Sequence, residues 1–280
     1  MNDRDDDLAP VRPVGVTRVS GASRADVVDA AATEEPLDVR LHGRSFAVIM
    51  RTPGLDRALA AGFLFAERVI RSADDIGAIE HCRHPDQRQA HHVVDVFLVG
   101  DAAARVPAIL ETRRQFVASS ACGVCGRATI DELRRDIAPL PVTWRVDLSF
   151  VRALPERLRA TQSAFDETGG LHGAAIFSRG GDLRSAAEDV GRHNAVDKAV
   201  GQLLLSDQAL VAADALAVSG RVAFEIVQKA SLAGISLVVA VSAPTTLAIE
   251  LAREAGITLI GFARGEHLNI YTHPERIDAV

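Results

Sequence analysis

Apolar residues settle into a regular rhythm only in the second half of the chain. Five runs, "HGAAIFS", "LRSAAED", "ALAVSG", "ISLVVAV" and "ITLIGFA", have the length and composition of strands. They alternate with helical spacing over about residues 192–206, 222–233 and 245–255. Apolar strands interleaved with helices predict a parallel or mixed sheet with helices packed on its faces. Ahead of them, "LSFVRALPERLRATQSAF" predicts helical segments, with Pro155 restarting a turn.

The first half reads as a smaller α+β unit. "PLDVRLHGRSFAVIMRTP" predicts a β-hairpin turning at Gly43, and "GLDRALAAGFLFAERVI" (54–70) a helix with Asp56 near its start. "IGAIEHCRH" and "HHVVDVFLVG" predict two further strands. A short helix is expected from about Ala128 to Asp136, and the proline-bearing "APLPV" (138–142) marks a boundary. The expected organisation is a flexible, polar N-terminal arm over 1–34, a small α+β domain over 35–115, a cysteine loop with its short helix over 116–137, and an α/β domain over 138–280.

Sheets of this second kind bind ligands where strand ends meet helix N-termini. Three such junctions carry polar signatures: "EDVGRHNAVDK" (188–198), "SGRVAFE" (219–225) and "VSAPTTLAIE" (241–250). Small and hydroxyl residues there, Ser219, Ser242 and Thr245 among them, leave backbone N–H groups able to hold a phosphate, although capping a helix is their commonest use. Gly191 and Gly220 permit close backbone approach, and Arg192 and Arg221 can add charge-assisted bonds. Three such junctions on one sheet favour an anionic ligand. His193 and Asp197 are four apart, as are Asn194 and Lys198, so each pair shares a helix face. The first pair suits a carboxylate that fixes a histidine tautomer. His172 enters the first strand of this domain.

Composition narrows the partners. The chain is 48% apolar and 24% charged, as ordinary globular proteins are. Its net charge of −6 argues against nucleic acid as a partner. No apolar run approaches the roughly 20 residues that span a bilayer, and the acidic start "MNDRDDDLAP" lacks the apolar core of a signal peptide. A cytoplasmic protein without membrane contact is expected. Of its 31 cationic residues only Lys198 and Lys229 are lysines, which points to a place for a compact ammonium near residue 198.

Cysteine is the remaining signal. Cys122 and Cys125 stand in the glycine-flanked loop "ASSACGVCGRATIDEL", and Cys82 is the third. In a reducing compartment such a pair is chemical or metal-binding rather than a disulfide framework. A zinc site needs two further ligands, and the cluster of Cys82, His81, His84, His91 and His92 lacks the usual spacing. A redox disulfide centre uses the same Cys-x-x-Cys spacing. A thiolate lowered in pKa by a helix N-terminus and by Arg127 could instead carry sulfur as a persulfide. Physical chemistry alone leaves the last two open.

Taken together, "CGVCG", "TGGLHGAA", "EDVGRHNAVDKAVG", "SGRVAFEIVQKA", "SAPTTLAIELA" and "LIGFARGEHLNIYTHPERI" follow one another at a spacing that resembles the formate dehydrogenase accessory sulfurtransferase family, FdhD. The resemblance runs from about residue 35 to the C-terminus. It implies a cytidine-deaminase-like three-layer αβα fold for the second domain, and a homodimer. It implies a sulfurtransferase in which Cys122, with Cys125 beside it, accepts persulfide sulfur from a cysteine desulfurase. The sulfur then passes to the molybdenum or tungsten bis-molybdopterin guanine dinucleotide used by the formate dehydrogenase catalytic subunit. The family's cofactor-binding segment matches Phe262, Ala263, Arg264, Gly265, Glu266 and His267. The three phosphate-friendly junctions would serve the same cargo, with GDP as a mimic of half of it and Tyr271 as a stacking candidate. Zinc deaminases need a Glu two residues after a metal-binding His or Cys. Residues 172–174 are His-Gly-Ala and the cysteine pair precedes them, so neither zinc nor deaminase activity is expected. A cofactor-binding chaperone without sulfur transfer and a thiol-disulfide oxidoreductase are the alternatives.

Overall fold

In the computed structural model, which describes residues 9–82, 91–114, 139–141, 144–206 and 215–278, regular structure starts earlier than the sequence suggests. Strands β1 (Val11–Ser20) and β2 (Ser23–Ala32) pair antiparallel over their full length, where an irregular arm was expected. Gly21, at φ 60°, opens their two-residue turn. Polar cross-strand pairs hold the ribbon, Thr17 with Asp26 and Arg18 with Asp29. Val14, Val19 and Val28 stay exposed, so the ribbon has no buried face to produce an apolar alternation. At its base, Thr33 donates through its N–H to the Pro10 carbonyl and through its hydroxyl to that of Ala9.

A four-stranded sheet follows, in the order β4-β3-β6-β5, from β3 (Glu35–Leu41), β4 (Arg44–Arg51), β5 (Ile76–His81) and β6 (Val93–Leu98). The β3–β4 hairpin turns at Gly43, as the sequence predicts. Helix α1 (Asp56–Ala66) is buried along almost its whole length. Its start is fixed by the fully buried Arg51, whose Nε and Nη2 each donate to Asp56 at 2.9 Å. Helix α2 (Gly100–Arg114) was not anticipated.

Beyond it lie β7 (Val146–Asp147), α3 (Leu148–Arg159), α4 (Ser163–Thr168), β8 (His172–Phe177), β9 (Leu183–Asp189), α5 (Arg192–Leu204), β10 (Ala215–Val218), α6 (Phe224–Leu232), β11 (Leu237–Ala240), α7 (Thr246–Glu254), β12 (Thr258–Arg264), β13 (His267–Ile270) and β14 (Ile277–Asp278). Six of these strands form a mixed sheet, β13-β12-β11-β10-β8-β9, in which β10, β11 and β12 run parallel. β8 runs antiparallel to both its neighbours, and β13 antiparallel to β12. The five predicted strands are all present, and β13 is added.

Alternate residues of the sheet face opposite cores. Ala174, Ile176, Leu216, Val218, Val238 and Leu259 pack with α5, α6 and α7, whereas Phe177, Ala215, Ala217, Leu237, Val239 and Ile260 pack with Val151, Leu154 and Leu158 of α3. The result is a three-layer αβα arrangement of the α/β class, as expected. Burying each Val, Leu or Ile contributes about 1.5–3 kcal/mol, which explains why both faces read as apolar.

The smaller sheet joins this core through helix α1. It crosses α5 with the two backbones in contact, since a Cβ on Gly62 would collide with the Asp197 carbonyl and one on Gly201 with that of Ala58. One apolar core therefore runs from Leu37 and Val39 of β3 through α1 to α5 and the large sheet. Among the described residues, no helix is long and apolar enough to cross a membrane.

Candidate functional site

The chain's polar motifs meet at one edge of the six-stranded sheet. β9, β10, β11 and β12 all end there, while β8 begins there with His172. In sheet order the edge presents Arg264, Ser242, Ser219, His172 and then Asp189 with Gly191. Four strand spacings separate β12 from β9, about 19 Å in all. The edge can therefore accept an extended ligand.

The first junction is built around a fully buried carboxylate. Asp189 Oδ1 accepts from the Gly191 N–H and from Asn194 Nδ2, both at 2.8 Å. Its Oδ2 accepts from the Thr52 N–H at 3.1 Å and pairs with Lys198 Nζ at 2.7 Å. Lys198 also donates to the Thr52 carbonyl at 2.7 Å. This corrects one expectation, since the Lys198 side chain is 2% exposed and its ammonium faces internal partners rather than the edge. Asp197 is a second correction. It turns away from His193 and accepts from Lys229 Nζ of α6 at 2.5 Å. Burial pushes the Asp197 carboxyl up, and Lys229 pulls against that. Both lysines of the chain thus neutralise buried aspartates.

His193 has a different partner, Glu225 in the first turn of α6. His193 Nε2 and Glu225 Oε2 lie 3.7 Å apart, beyond hydrogen-bond length, and both atoms are buried without a hydrogen bond among the described residues. Burial raises the Glu225 carboxyl, but the His193 ring, its own backbone N–H and Arg192 outweigh this and hold it below the usual range. Glu225 was not singled out from sequence, because a Glu in a first helical turn is also an ordinary dipole partner. His172 stands beside this pair. Its Nδ1 would lie 3.2 Å from a Cβ on Gly220, so the second junction packs tightly against it. Burial, with Arg192 and His193, pushes the His172 imidazole down and leaves it neutral near pH 7.

The remaining hydroxyls have local duties. Ser219 Oγ accepts from the Gly173 N–H at 2.9 Å. Thr245 caps α7, accepting from Ala248 N–H, as hydroxyls at such positions usually do. Ser242 holds the last junction through its carbonyl, which accepts from the Phe262 N–H at 3.1 Å. The second and third loops run side by side, with Val222 N–H donating to the Ala243 carbonyl and Thr245 N–H to that of Val222. Helices α5 and α6, by contrast, start at Gly191 and Ala223 without a side-chain cap. The first-turn N–H groups of α5 are suited to an anion, whereas in α6 the Glu225 carboxylate takes its own N–H.

The segment Phe262–His267 closes the row. Phe262 sits at φ 53° where the β12–β13 pairing bulges, and the residue is 45% exposed. This is left-handed backbone, which a bulky residue seldom adopts. Ala263 is buried, and Gly265 takes φ 54° in the turn. Arg264 is exposed and donates through Nε to the Val241 carbonyl at 3.1 Å, tying the turn to the third junction. Glu266 pairs with Arg152 of α3 at 3.0 Å, and beside them lies a cavity of about 500 Å³ that His267 also lines. Arg221 is exposed. Tyr271 packs against Gly261, closer to a structural role than to stacking on a ligand. Cys122 and Cys125 lie outside the described residues, as do the predicted helix over Ala128–Asp136 and Arg127. Among the described residues no group of His, Cys, Asp or Glu side chains is arranged to hold a metal ion.

Known proteins extend this picture. A family model described as the FdhD/NarQ family matches residues 32–278. A sulfur carrier protein FdhD from Anaeromyxobacter dehalogenans is 47% identical over 268 residues, which cover 94% of this chain and 92% of that protein. Proteins of the same name from Streptomyces coelicolor and Saccharolobus solfataricus are each 44% identical, covering 94% and 95% of this chain and 94% and 98% of their own. The crystal structure of a candidate formate dehydrogenase accessory protein from Desulfotalea psychrophila superposes with a TM-score of 0.75. It covers 96% of this chain and 100% of its own, at 23% identity, and it shows a shared fold.

Proposed function

The chain belongs to the FdhD/NarQ family, and from that premise we propose that it is a sulfur carrier that serves formate dehydrogenase. Cys122 takes the sulfur and a bis-molybdopterin guanine dinucleotide is the acceptor. The observation that carries this reading is the near full-length similarity to proteins named sulfur carriers in a chain that has a Cys-x-x-Cys loop. The geometry of the sheet edge supports the nucleotide half of it. The uncapped start of α5, with Arg192 in its first turn and Arg221 at the neighbouring junction, suits pyrophosphate, and Arg264 stands farther along the same edge.

The Cys122 thiolate attacks the terminal sulfur of a desulfurase persulfide, the S–S bond of that persulfide breaks, and the desulfurase thiolate leaves. Cys125 can then attack the inner sulfur of the Cys122 persulfide. That step releases hydrosulfide and leaves a Cys122–Cys125 disulfide, so the two thiols supply the electrons that reduce sulfur to sulfide. The cytoplasm, where thiols are kept reduced, suits this cycle. A homodimer belongs to the same reading.

Replacing Cys122 tests the proposal. Cys122→Ala is expected to abolish activation of formate dehydrogenase while the melting temperature stays that of the wild type. Full activation by this variant would remove sulfur transfer and leave a cofactor-binding chaperone.

A further inference from the structure

Three carboxylates stand near the start of α5, and two of them are matched by lysine: Asp189 by Lys198 and Asp197 by Lys229. Glu225 is left facing His193, with a side chain 7% exposed and an Oε2 that has no hydrogen bond among the described residues. His193 turns Nε2 toward it, and its Nδ1 is not sealed in the same way. A buried carboxylate oxygen without a donor is costly, and a small closure of the 3.7 Å gap would turn the contact into a charge-assisted hydrogen bond. That closure is worth most when the ring carries both protons. The ring itself lies at the uncapped start of α5, next to Arg192 and His172.

Resting on the reading that this edge holds a guanosine diphosphate moiety, we propose that His193 is a ligand-binding residue that takes a phosphate oxygen of that moiety on Nδ1 as imidazolium, with Glu225 as its positioning residue. Binding of the nucleotide then takes up a proton. The charged and titratable groups around the ring are Glu225 from α6, His172 from β8, and Arg192 and Asp197 on α5 itself, with Asp189 at the end of β9 and Arg221 from the second junction acting on His172. Lys229 engages Asp197 and Lys198 engages Asp189. Burial lowers the pKa of the His172 imidazole, which disfavours its taking up the proton. Of these groups His193 alone joins a carboxylate behind it to an open nitrogen in front.

The test is calorimetric titration of GDP-mannose into the full chain in two buffers of different ionisation enthalpy. The esterified diphosphate of this probe does not titrate near neutrality, so any proton uptake belongs to the protein. Wild type is expected to bind more tightly at about pH 6 than at about pH 8 and to take up a proton on binding. His193→Gln should bind roughly tenfold more weakly at the lower pH and without proton uptake. Glu225→Gln should shrink the uptake, and His172→Gln should keep it. Circular dichroism melts show whether each variant is folded. Unchanged affinity and uptake in His193→Gln would overturn this inference alone, as would uptake lost in His172→Gln and kept in His193→Gln. No binding to wild type would bring down the nucleotide reading and this inference with it.

Discussion

Lys198 and Lys229 were visible in the sequence as rare residues, and the structure gives the reason for them. Each ammonium sits against a buried aspartate, at 2.7 Å and 2.5 Å, where a planar guanidinium would need more space. Removing one partner strands the other charge, so Lys198→Ala should lower unfolding stability by about 3–5 kcal/mol in urea denaturation. Lys198→Arg keeps the charge and is still expected to destabilise. Wild-type stability in the arginine variant would contradict the tight site around Asp189. His172 makes a pH-dependent contribution. Its pKa lies below the ordinary 6.5, so the unfolded chain binds the proton more readily. The stability it confers is present above about 6.5 and is lost as the pH falls through the lower folded value. Melts at about pH 7.5 and about pH 5.5 should therefore show a smaller fall for His172→Gln than for wild type. The partners of these residues were not legible. A spacing of four placed His193 with Asp197, but α6 packs across α5 and supplies Lys229 to one and Glu225 to the other.

Among the elements, those buried on both faces were legible. β10 and β11 are apolar at every position, and the helices between the strands show their buried stripe plainly. The ribbon β1–β2 escaped because its side chains face solvent on both sides, and β13 because it is four residues long with two exposed. In α2 the buried Ala102, Val106 and Leu110 keep helical spacing, but Pro107 interrupts the signal. The α1–α5 crossing makes a test with a definite sign. Alanine is a better helix former than glycine by up to about 1 kcal/mol. At Gly201 the crowding should win, and Gly201→Ala should destabilise by about 1–3 kcal/mol in urea denaturation. A stabilised variant would mean that the helices do not touch there. At the sheet edge proposed to hold the nucleotide, GDP should bind wild type more tightly than Arg221→Ala by roughly tenfold, the worth of one charge-assisted phosphate contact. Equal affinity would take the phosphate role away from the second junction.

In the molecule as a whole, topology brings together what sequence order keeps apart. His172, Arg192, Ser219, Ser242 and Arg264 span more than ninety positions of the chain, yet the order of strands sets them along one sheet edge. That convergence could be expected from the alternation of strands and helices, because ligands gather where strand ends meet helix starts. The joint between the two sheets could not, since it rests on two glycines whose partners lie more than a hundred residues away. A sulfur carrier must receive sulfur on its cysteine loop. The most direct measurement is mass spectrometry of the peptide spanning residues 118–133, after the protein has been incubated with a cysteine desulfurase and cysteine without reductant. A gain of one sulfur atom on Cys122 is expected, absent when cysteine is withheld. An unmodified Cys122 in a peptide from active, folded protein, or sulfur found on Cys82 instead, would contradict it.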